Sequence, residues 1–559
     1  MAFWKAWSLY GADFGPIKLI ENLPFYNYPS FFAVFISFLG VIFKLIQNPY
    51  NIARYWQTTN LAYLLFFKIW SIAGDIIVAW LIYLLGSQLM GKKIGLILSL
   101  LFFLSPVALI DGAFWGQVDG LGVAFFILAL WLLWRQKPEI ASLVLVAGIF
   151  FKLQNIVFAP LFYLYLIRTY DLKTAVRCLA YSLLCLVIIN LPYILAKKTE
   201  LIFSAFNRNL DYYPYYTLKA NNFWAIIAKD SYWDRWPDQQ MLRGVTSAKS
   251  LGMTAFIVCY LIACLNLLFS RPENRFKNFV LSSLVSVLSF FTVLTQMHDR
   301  YLYPLFPLAL LYFACEKSWH RQIRLFIILY SLFSILYFGN LYGSFAFQYQ
   351  YLGLTKLDNF LNGRPFTVIN SLVICLGLIW LLGYILKKLP KILWLTPLLM
   401  PLMILGQNRG YLNNKPISAS KLVATNWVQS YGQPQKNMSV NSFLGPQYWT
   451  RLSNNYYYYE QGIGSHAFSE IYLWINGQFS RLETDYGLDT EANDQTKVIF
   501  EVETDGKILF TSTPMSKTDL PKHLKLNITG VKKLILRIKD TATGISGAHA
   551  DWLGAVFYK

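Results

Sequence analysis

The sequence predicts a polytopic α-helical membrane protein that carries an all-β sandwich at its C-terminus. Of its 559 residues, 56% are hydrophobic and only 14% are charged, which is too apolar for a soluble protein of this length. Runs such as 61–85 reach the roughly 20 apolar residues that cross a hydrocarbon core. Beyond residue 406 the composition turns polar and apolar residues alternate with polar ones. We therefore expect a helical part and a separate β domain.

Apolar segments recur up to residue 405 and predict about twelve membrane spans. We place them at 61–86, 94–111, 119–134, 139–153, 154–168, 178–196, 250–270, 278–296, 302–315, 325–341, 366–386 and 391–405. Residues 1–60 are expected to form an outer loop with amphipathic helices, in which Ser30–Ile46 is interfacial or re-entrant. A linker at 406–419 then leads to the β-sandwich at 420–559.

The distribution of lysine and arginine decides what the formal net charge of +20 means. These residues gather in short loops after every second predicted span, as expected of cytoplasmic loops. Nucleic acid binding would instead require one basic face with interleaved aromatic residues. The pattern disfavours a nucleic acid partner and indicates a multi-pass protein of the cell membrane. It places 1–60, 111–120, 197–249, 342–365 and the C-terminal domain on the extracytoplasmic side.

The C-terminal part contains a strong local β signal. Residues 497–512 alternate in polarity on both sides of Asp505-Gly506, which predicts a hairpin with a two-residue turn. Residues 524–538 predict two more strands around Thr529-Gly530. We therefore expect a sandwich of short antiparallel strands.

Ionisable residues in the apolar segments are the first functional candidates, because a charge in lipid costs at least a few kcal/mol. They are Asp75, Asp111, Asp119, Lys152, His298, Asp299 and Arg300. On the predicted topology a polar and aromatic set approaches one outer face: Asp111, Trp115, Gln117, Asp119, Lys152, Gln154, His298 and Arg300. The alternative is that these residues cap helices and form interhelical hydrogen bonds. Their convergence favours a binding or catalytic site.

Five motifs in consistent order resemble the signatures of bacterial GT-C superfamily glycosyltransferases of the mannosyltransferase-like kind, which use polyprenyl-phosphate sugars. The motifs are Asn27-Tyr28-Pro29-Ser30, Lys68 with Asp75, SPVALIDGAFWGQVDG (105–120), GIFFKLQ (148–154) and MHDRYLYP (297–304). The chain has Ser30 and Leu153 where the family usually has proline, and Asp299 where it has glutamate. The resemblance covers residues 1–310.

The resemblance implies transfer of a hexose from a polyprenyl-phosphate-sugar to an acceptor hydroxyl. Lys152 and Arg300 are the implied ligands of the departing phosphate, and Gln117, Asp119 and Gln154 would orient sugar or acceptor hydroxyls. Tyr28, Trp115 and His298 complete the expected substrate-binding set.

A carboxylate of the first outer loop would act as the general base. In relatives it stands a few positions ahead of an aromatic-x-x-Trp pattern, and here the corresponding Phe3-Trp4-Lys5-Ala6-Trp7 begins almost at Met1. The base is thus expected directly before Met1, and we expect an N-terminal truncation that has removed both the base and the first span. Asp13 is the fallback, and its alternative interpretation is a solvated loop aspartate.

The C-terminal domain resembles the NPCBM family of carbohydrate-binding modules, which have a galactose-binding-like β-sandwich. The segments that carry this resemblance are YYYYEQGIGSHAFSEI (456–471), ETDYGLDTE (483–491), VIFEVETDGKILFTS (498–512) and HADWLGAVF (549–557). Candidates for a glycan-binding loop rim are Gly462, His466, Asp489, Asp551 and Trp552. The alternative is a sandwich whose aromatic residues are core.

Together these observations predict a membrane glycosyltransferase that acts on the extracytoplasmic face and holds a glycan in its C-terminal module. The acceptor could be a glycan, a lipid or a protein. The sequence indicates no definite cofactor, and a divalent metal, such as Ca²⁺ in the module, is left open. The competing interpretations are a transporter or flippase of lipid-linked glycans, and a truncated, inactive glycan-binding membrane protein.

Overall fold

The chain divides into two compact units in a computed structural model. The structure describes residues 2–23, 26–57, 59–209, 216–228, 241–242, 246–349, 355–410, 416–422, 426–444, 450–454, 457–541 and 546–559. The first unit comprises 1–213, 217–234 and 252–400, and the second comprises 214–216, 235–251 and 401–559. The first is mostly helical, whereas the sheets of the second lie in its C-terminal part.

Apolar helices dominate the N-terminal part of the chain. The α-helices are α1 (Ala2–Asn22), α2 (Ser30–Ile46), α3 (Ile52–Tyr55), α4 (Leu61–Met90), α5 (Lys92–Phe103), α6 (Pro106–Ala108), α7 (Asp119–Trp134), α8 (Pro138–Phe151), α9 (Ala159–Thr169), α10 (Leu172–Ile189), α11 (Leu191–Leu195), α12 (Ser204–Asn209), α13 (Phe223–Ile227), α14 (Ala248–Leu268), α15 (Arg275–Val293), α16 (Leu305–Cys315), α17 (Ile323–Tyr349), α18 (Thr355–Asn362), α19 (Arg364–Leu386) and α20 (Leu399–Gly410). Short 3₁₀ segments lie at Leu153–Phe158, Thr199–Leu201, Pro272–Asn274, Asp299–Leu302, Lys317–Gln322 and Lys391–Leu398.

Each of the twelve predicted spans coincides with helical structure. By length and apolar composition, six helices of the described residues could cross a membrane, or seven if the bent pair Lys92–Phe103 and Pro106–Trp115 is one span. Several other predicted spans are shorter apolar helices, such as α7 and α8. Both of these helices are largely buried inside the unit.

Residues 111–120, which the sequence predicts as a polar turn between two spans, are mostly helical, and this corrects the prediction. A π-helical segment runs from Leu109 to Trp115, Gly116 adopts a left-handed conformation with φ 73°, and α7 begins at Asp119. Only the residues between these helices reverse the chain. π-Helical turns are frequent at functional sites.

The C-terminal domain contains two six-stranded antiparallel sheets and the two-stranded sheet β8-β9. The strands of the described residues, in order, are β1 (Thr217–Leu218), β2 (Met241–Leu242), β3 (Thr246–Ser247), β4 (Met297–His298), β5 (Ile417–Ser418), β6 (Trp427–Gln429), β7 (Gln435–Lys436), β8 (Leu452–Asn454), β9 (Tyr457–Tyr459), β10 (Gly462–His466), β11 (Ser469–Trp474), β12 (Arg481–Leu488), β13 (Lys497–Thr504), β14 (Lys507–Thr511), β15 (Met515–Ser516), β16 (Lys522–Asn527), β17 (Lys533–Asp540) and β18 (His549–Tyr558). One sheet has the order β16-β12-β18-β10-β7 with β5 on β18, and the other has β14-β13-β17-β11-β6 with β15 on β13. Helix α21 (Ala419–Leu422) follows β5.

A common apolar core joins the two sheets. The Trp552 ring of β18 contacts the Phe500 ring of β13, with centroids 5.1 Å apart. The Tyr486 ring of β12 also contacts the Phe500 ring, at 5.0 Å. The domain is therefore the expected sandwich. Its first strand lies inside the predicted linker, because β5 pairs with β18 through Ile417 and Ser418.

The predicted Asp505-Gly506 hairpin is confirmed. Strands β13 and β14 pair across it, and both turn residues have positive φ, at 46° and 86°, as a tight hairpin turn requires. Two strands also flank Thr529-Gly530, but they do not pair with each other. β16 pairs with β12, whereas β17 pairs with β13 and β11, so this turn passes from one sheet to the other.

Candidate functional site

Three of the predicted charged residues form one cluster in the helical unit. The Lys152 ammonium lies 2.5 Å from an Asp119 carboxylate oxygen, with both side chains buried. Arg300 lies 3.8 Å from the other Asp119 oxygen. Asp119 begins α7, Lys152 follows α8, and Arg300 lies in the 3₁₀ turn before α16. We call Asp119, Lys152 and Arg300 the charged cluster.

Small residues next to the charged cluster allow it to form. A Cβ atom at Gly122 would come within 2.7 Å of the Lys152 Cδ atom, so the lysine stem needs a glycine there. Asn155 donates to the carbonyl oxygens of Gly122 and Gly148, at 2.8 and 2.9 Å. The helix α7 N-terminus also favours an acidic side chain at Asp119.

Asp75 occupies a niche beside the charged cluster. Its carboxylate accepts a hydrogen bond from the Tyr303 hydroxyl. Any side chain at Gly112 or Gly120 would collide with it, which explains two glycines of the DGAFWGQVDG motif. Asp75, which lies in α4, thus contacts the π-helical turn, α7 and the MHDRYLYP motif (297–304).

Asp111 is the least satisfied group of this region. It is fully buried, and neither carboxylate oxygen has a hydrogen-bond partner among the described residues. It interacts electrostatically with Asp119, Lys152 and Arg300. A buried carboxylate without hydrogen bonds is costly, which favours a role with a ligand.

The remaining predicted substrate-binding residues surround the charged cluster to different extents. The Tyr28 hydroxyl interacts electrostatically with Arg300, and the His298 ring lies 5.2 Å from the Tyr301 ring. Trp115 is buried against Phe345, with ring centroids 5.7 Å apart. Gln117 and Gln154 are partly exposed, and no contact shown here links their side chains to the charged cluster.

Asp13, the fallback base, lies elsewhere. Its carboxylate accepts from Lys44 and Tyr50, and Lys44 is near the C-terminal end of α2. Tyr28, which contacts the cluster, precedes the other end of that helix. At 1.5 Å per residue, about 20 Å of helix separates the two sites. The start of α1 is closer, because Trp7 packs on Tyr28 with ring centroids 5.5 Å apart.

Sequence reasoning missed that the segment 216–228 reaches the same region. β1 pairs with β4 through Leu218 and His298, and Lys219 forms a further bridge to His298. Asn222, which caps α13, was a readable helix-start signal. Strands β1 and β4, however, are far apart along the chain, so the sequence did not indicate that they pair. Other parts of the predicted loop 197–249, at 210–215, 229–240 and 243–245, lie outside the described residues.

In the C-terminal domain the five predicted rim residues are all buried, which corrects that prediction. Trp552 belongs to the core. Gly462 is required by close backbone packing, since a Cβ there would collide with the Trp552 carbonyl. Asp489 and Asp551 are fully buried, and burial and the Asp489 charge raise the pKa of Asp551 well above its usual value.

His466 alone of the five borders an exposed aromatic residue. Its ring lies 5.1 Å from Tyr431, which is 38% exposed, and 5.2 Å from His549. Burial lowers the pKa of His466 to about 4, so the ring is neutral at pH 7. Nearby Glu491 accepts from Ser439, Asn441 and Thr450. We call Tyr431, His466, His549 and Glu491 the module rim; Glu491 interacts electrostatically with His549.

The described residues contain no group of three or more His, Cys, Asp or Glu side chains that could hold a metal ion.

Residues 415–558 match the family described as the NPCBM/NEW2 domain. The C-terminal domain is therefore a module of the type that the sequence resemblance predicted. A curated protein of Renibacterium salmoninarum, "Putative endo-alpha-N-acetylgalactosaminidase", is 27% identical over 99 residues, which are 18% of this chain and 7% of that protein. The chain thus spans only a small part of this relative.

Solved structures of Clostridium perfringens modules are also similar. The CBM51 of GH95 in complex with methyl-galactose is 27% identical, with a TM-score of 0.23, over 26% of this chain and 99% of that chain. The CBM51-2 of ZmpB in complex with GlcNAc, with its INT domains, is 25% identical, with a TM-score of 0.24, over 26% of this chain and 32% of that chain.

Proposed function

We propose that this protein is a membrane glycosyltransferase that moves a hexose from a polyprenyl-phosphate-sugar to an acceptor on the extracytoplasmic face, and that its C-terminal module binds glycan. The observation that carries the proposal is the charged cluster. Three motifs from separate helices bring Asp119, Lys152 and Arg300 together in an otherwise apolar unit.

Burial of this cluster is difficult to explain by stability alone. Replacing a buried ion pair by apolar residues is often neutral or stabilising. A unit built only for stability would therefore need neither the charges nor the glycines that make room for them. The unsatisfied Asp111 beside the cluster adds a second costly group.

The chemistry of glycosyl transfer suits these residues. The acceptor oxygen attacks the anomeric carbon, its proton passes to a base, and the bond to the donor phosphate oxygen breaks with both electrons leaving on the phosphate. Lys152 and Arg300 would stabilise that charge, and Asp119 would hold the two cations in position before the donor arrives. Asp111, a buried carboxylate beside the charged cluster whose oxygens have no hydrogen-bond partner among the described residues, would accept that proton.

The module rim would hold a glycan. Tyr431 offers an exposed ring face for a sugar, and Asn441 and Glu491 offer polar groups beside it. The family match at 415–558 supports this role. Galactose and GlcNAc are the first sugars to test, because the two solved structures are complexes with methyl-galactose and with GlcNAc.

The test of the transferase is hexose transfer from undecaprenyl-phosphate hexoses by membranes that contain the full chain. Arg300→Gln and Lys152→Gln should lower transfer at least tenfold, and Lys356→Gln, a change to an exposed lysine, should not. Wild-type membranes that give no transfer with any hexose would overturn the proposal.

A separate binding test addresses the module. Tyr431→Ala should abolish binding of the full chain to immobilised galactose or GlcNAc, whereas Tyr457→Ala, another exposed tyrosine, should retain it. Equal binding by both variants would remove the module rim as the glycan site.

A further inference from the structure

Helices α4 and α5 form a close-packed hairpin. The chain turns at Gly91, which has φ 87°. A Cβ atom at Gly95 would come within 2.3 Å of the Ser87 Oγ atom, so only glycine lets the two helices approach this closely at that point. Further along, the Ser99 hydroxyl donates to the Ala79 carbonyl oxygen at 2.7 Å. These contacts fix the first turns of α5 against the last turns of α4.

A surface cavity of about 460 Å³ lies at this end of the hairpin. It is lined by Tyr83 of α4 and by Lys92, Lys93 and Leu96 of α5. Both lysine side chains are exposed, and residues 76–110 include no aspartate or glutamate. Among the described residues, neither ammonium group forms an ion pair with a carboxylate. The cavity therefore carries unbalanced positive charge and favours an anion.

An exposed apolar stripe leads away from the cavity. Leu96, Leu100 and Leu104 are spaced four residues apart along α5 and its C-terminal cap, so they share one helix face. They are 50%, 45% and 61% exposed, and the stripe is about 12 Å long. Leu100 and Leu104 also line a mostly apolar groove of about 340 Å³, whose other wall includes Ile327 and Ile335 of α17. The apolar surface therefore adjoins the positively charged cavity.

We propose that this cavity binds the phosphate headgroup of an anionic phospholipid of the cytoplasmic leaflet, and that one acyl chain follows the leucine stripe. Lys92 and Lys93 would pair with the phosphate, and Tyr83 would lie at the interfacial level that tyrosine favours. The sequence predicts this loop on the cytoplasmic side, where anionic lipids attract basic residues. The inference goes beyond glycosyl transfer and depends only on the proposed membrane location.

The lysine pair is distinct from the charged cluster, at which the donor phosphate would bind. Helix α5 runs from Lys92 to Phe103 and separates the cavity from the π-helical segment before Asp119 by about 18 Å of helix. A phospholipid and a donor lipid would therefore have their phosphates at opposite ends of α5. A phospholipid fits the cavity because two lysines beside a leucine stripe match a charged head joined to an apolar chain.

The test is competition for fluorescent phosphatidylglycerol bound to the purified full chain in a neutral detergent. Wild type should bind phosphatidylglycerol about tenfold more tightly than phosphatidylcholine, since each lysine contributes about fivefold. Lys92→Gln/Lys93→Gln should remove that preference and leave phosphatidylcholine binding unchanged. The matched control is Lys387→Gln/Lys388→Gln, which removes another exposed lysine pair and should retain the preference. Leu100→Gln should weaken binding of both lipids, because it interrupts the stripe.

Each contrary outcome would overturn the inference in a distinguishable way. A preference that persists in Lys92→Gln/Lys93→Gln would remove the site. An equal loss in both double variants would show that the lipid responds to total charge and not to this cavity. Displacement by glycerol 3-phosphate as strong as by phosphatidylglycerol would indicate a simple anion site, and displacement by undecaprenyl phosphate alone would assign the groove to the donor lipid. Wild type that binds neither phospholipid would count against the proposed membrane location itself.

Discussion

The two units bury ionisable groups in opposite ways. The helical unit buries opposite charges together, with Asp119 between Lys152 and Arg300. The β module buries like groups together, because Asp489 and Asp551 are fully buried and interact electrostatically. Opposite charges stabilise each other in their ionised forms, whereas a buried carboxyl pair must keep a proton. A charged ligand can therefore replace a partner in the charged cluster of the helical unit, but not in the carboxyl pair of the module.

The largest expected loss of stability follows from removing one charge of the charged cluster in the helical unit. Lys152→Met should lower the free energy of unfolding by about 3–5 kcal/mol, because Asp119 loses its closest cation. The double variant Lys152→Met/Asp119→Asn should lose less than the two single changes combined. Thermal unfolding of the full chain in detergent measures both. Additive losses would mean that the pair does not act as a unit.

A comparable effect in the module comes from its apolar core. Trp552→Ala should cost about 3–5 kcal/mol, since the ring is fully buried against Phe500. Trp474→Ala is the matched control, with a ring that is 51% exposed. Hydrogen exchange of the β18 amides in the full chain measures the loss. If only glycan binding fell and exchange stayed unchanged, Trp552 would belong to a binding site.

A smaller effect tests the niche of Asp75. Gly120→Ala should cost about 1–3 kcal/mol, because the new methyl group collides with the Asp75 carboxylate. Gly377→Ala should be neutral or slightly stabilising, since nothing lies near a Cβ there. Melting temperatures of the full chain compare the two. Equal temperatures would show that the niche tolerates a side chain.

The smallest effect concerns the acidic pair and depends on pH. The folded module raises the pKa of Asp551 above its ordinary value of 3.8, so the stability from this group is full below pH 3.8 and is lost as the pH rises. Asp551→Asn should therefore slow exchange of the β18 amides at pH 7, and its advantage should disappear toward pH 3.8. The exposed control Asp494→Asn should show no such trend. A uniform effect across pH would mean that Asp551 does not carry the extra proton.

Local sequence patterns predicted secondary structure more completely than sites. The apolar runs indicated the helices, and Asp505-Gly506 indicated its hairpin, because both depend on residues close in the chain. The charged cluster was also predicted, since charged residues inside apolar helices need partners or ligands. Of the predicted rim residues only His466 belongs to the module rim, and Trp552 lies in the core, because a tryptophan in an alternating strand fits a core as well as a surface.

By itself, the sequence determined that helices of apolar composition precede an NPCBM-type β domain, and that charged residues of separate motifs would meet. Only the tertiary structure decided that Lys152 pairs with Asp119, that Trp552 and Asp551 face the core, and that Lys219 bridges to His298. The physical reason is the separation along the chain of the residues that interact. Periodicity and turn residues act over a few positions, whereas these contacts depend on how distant segments pack.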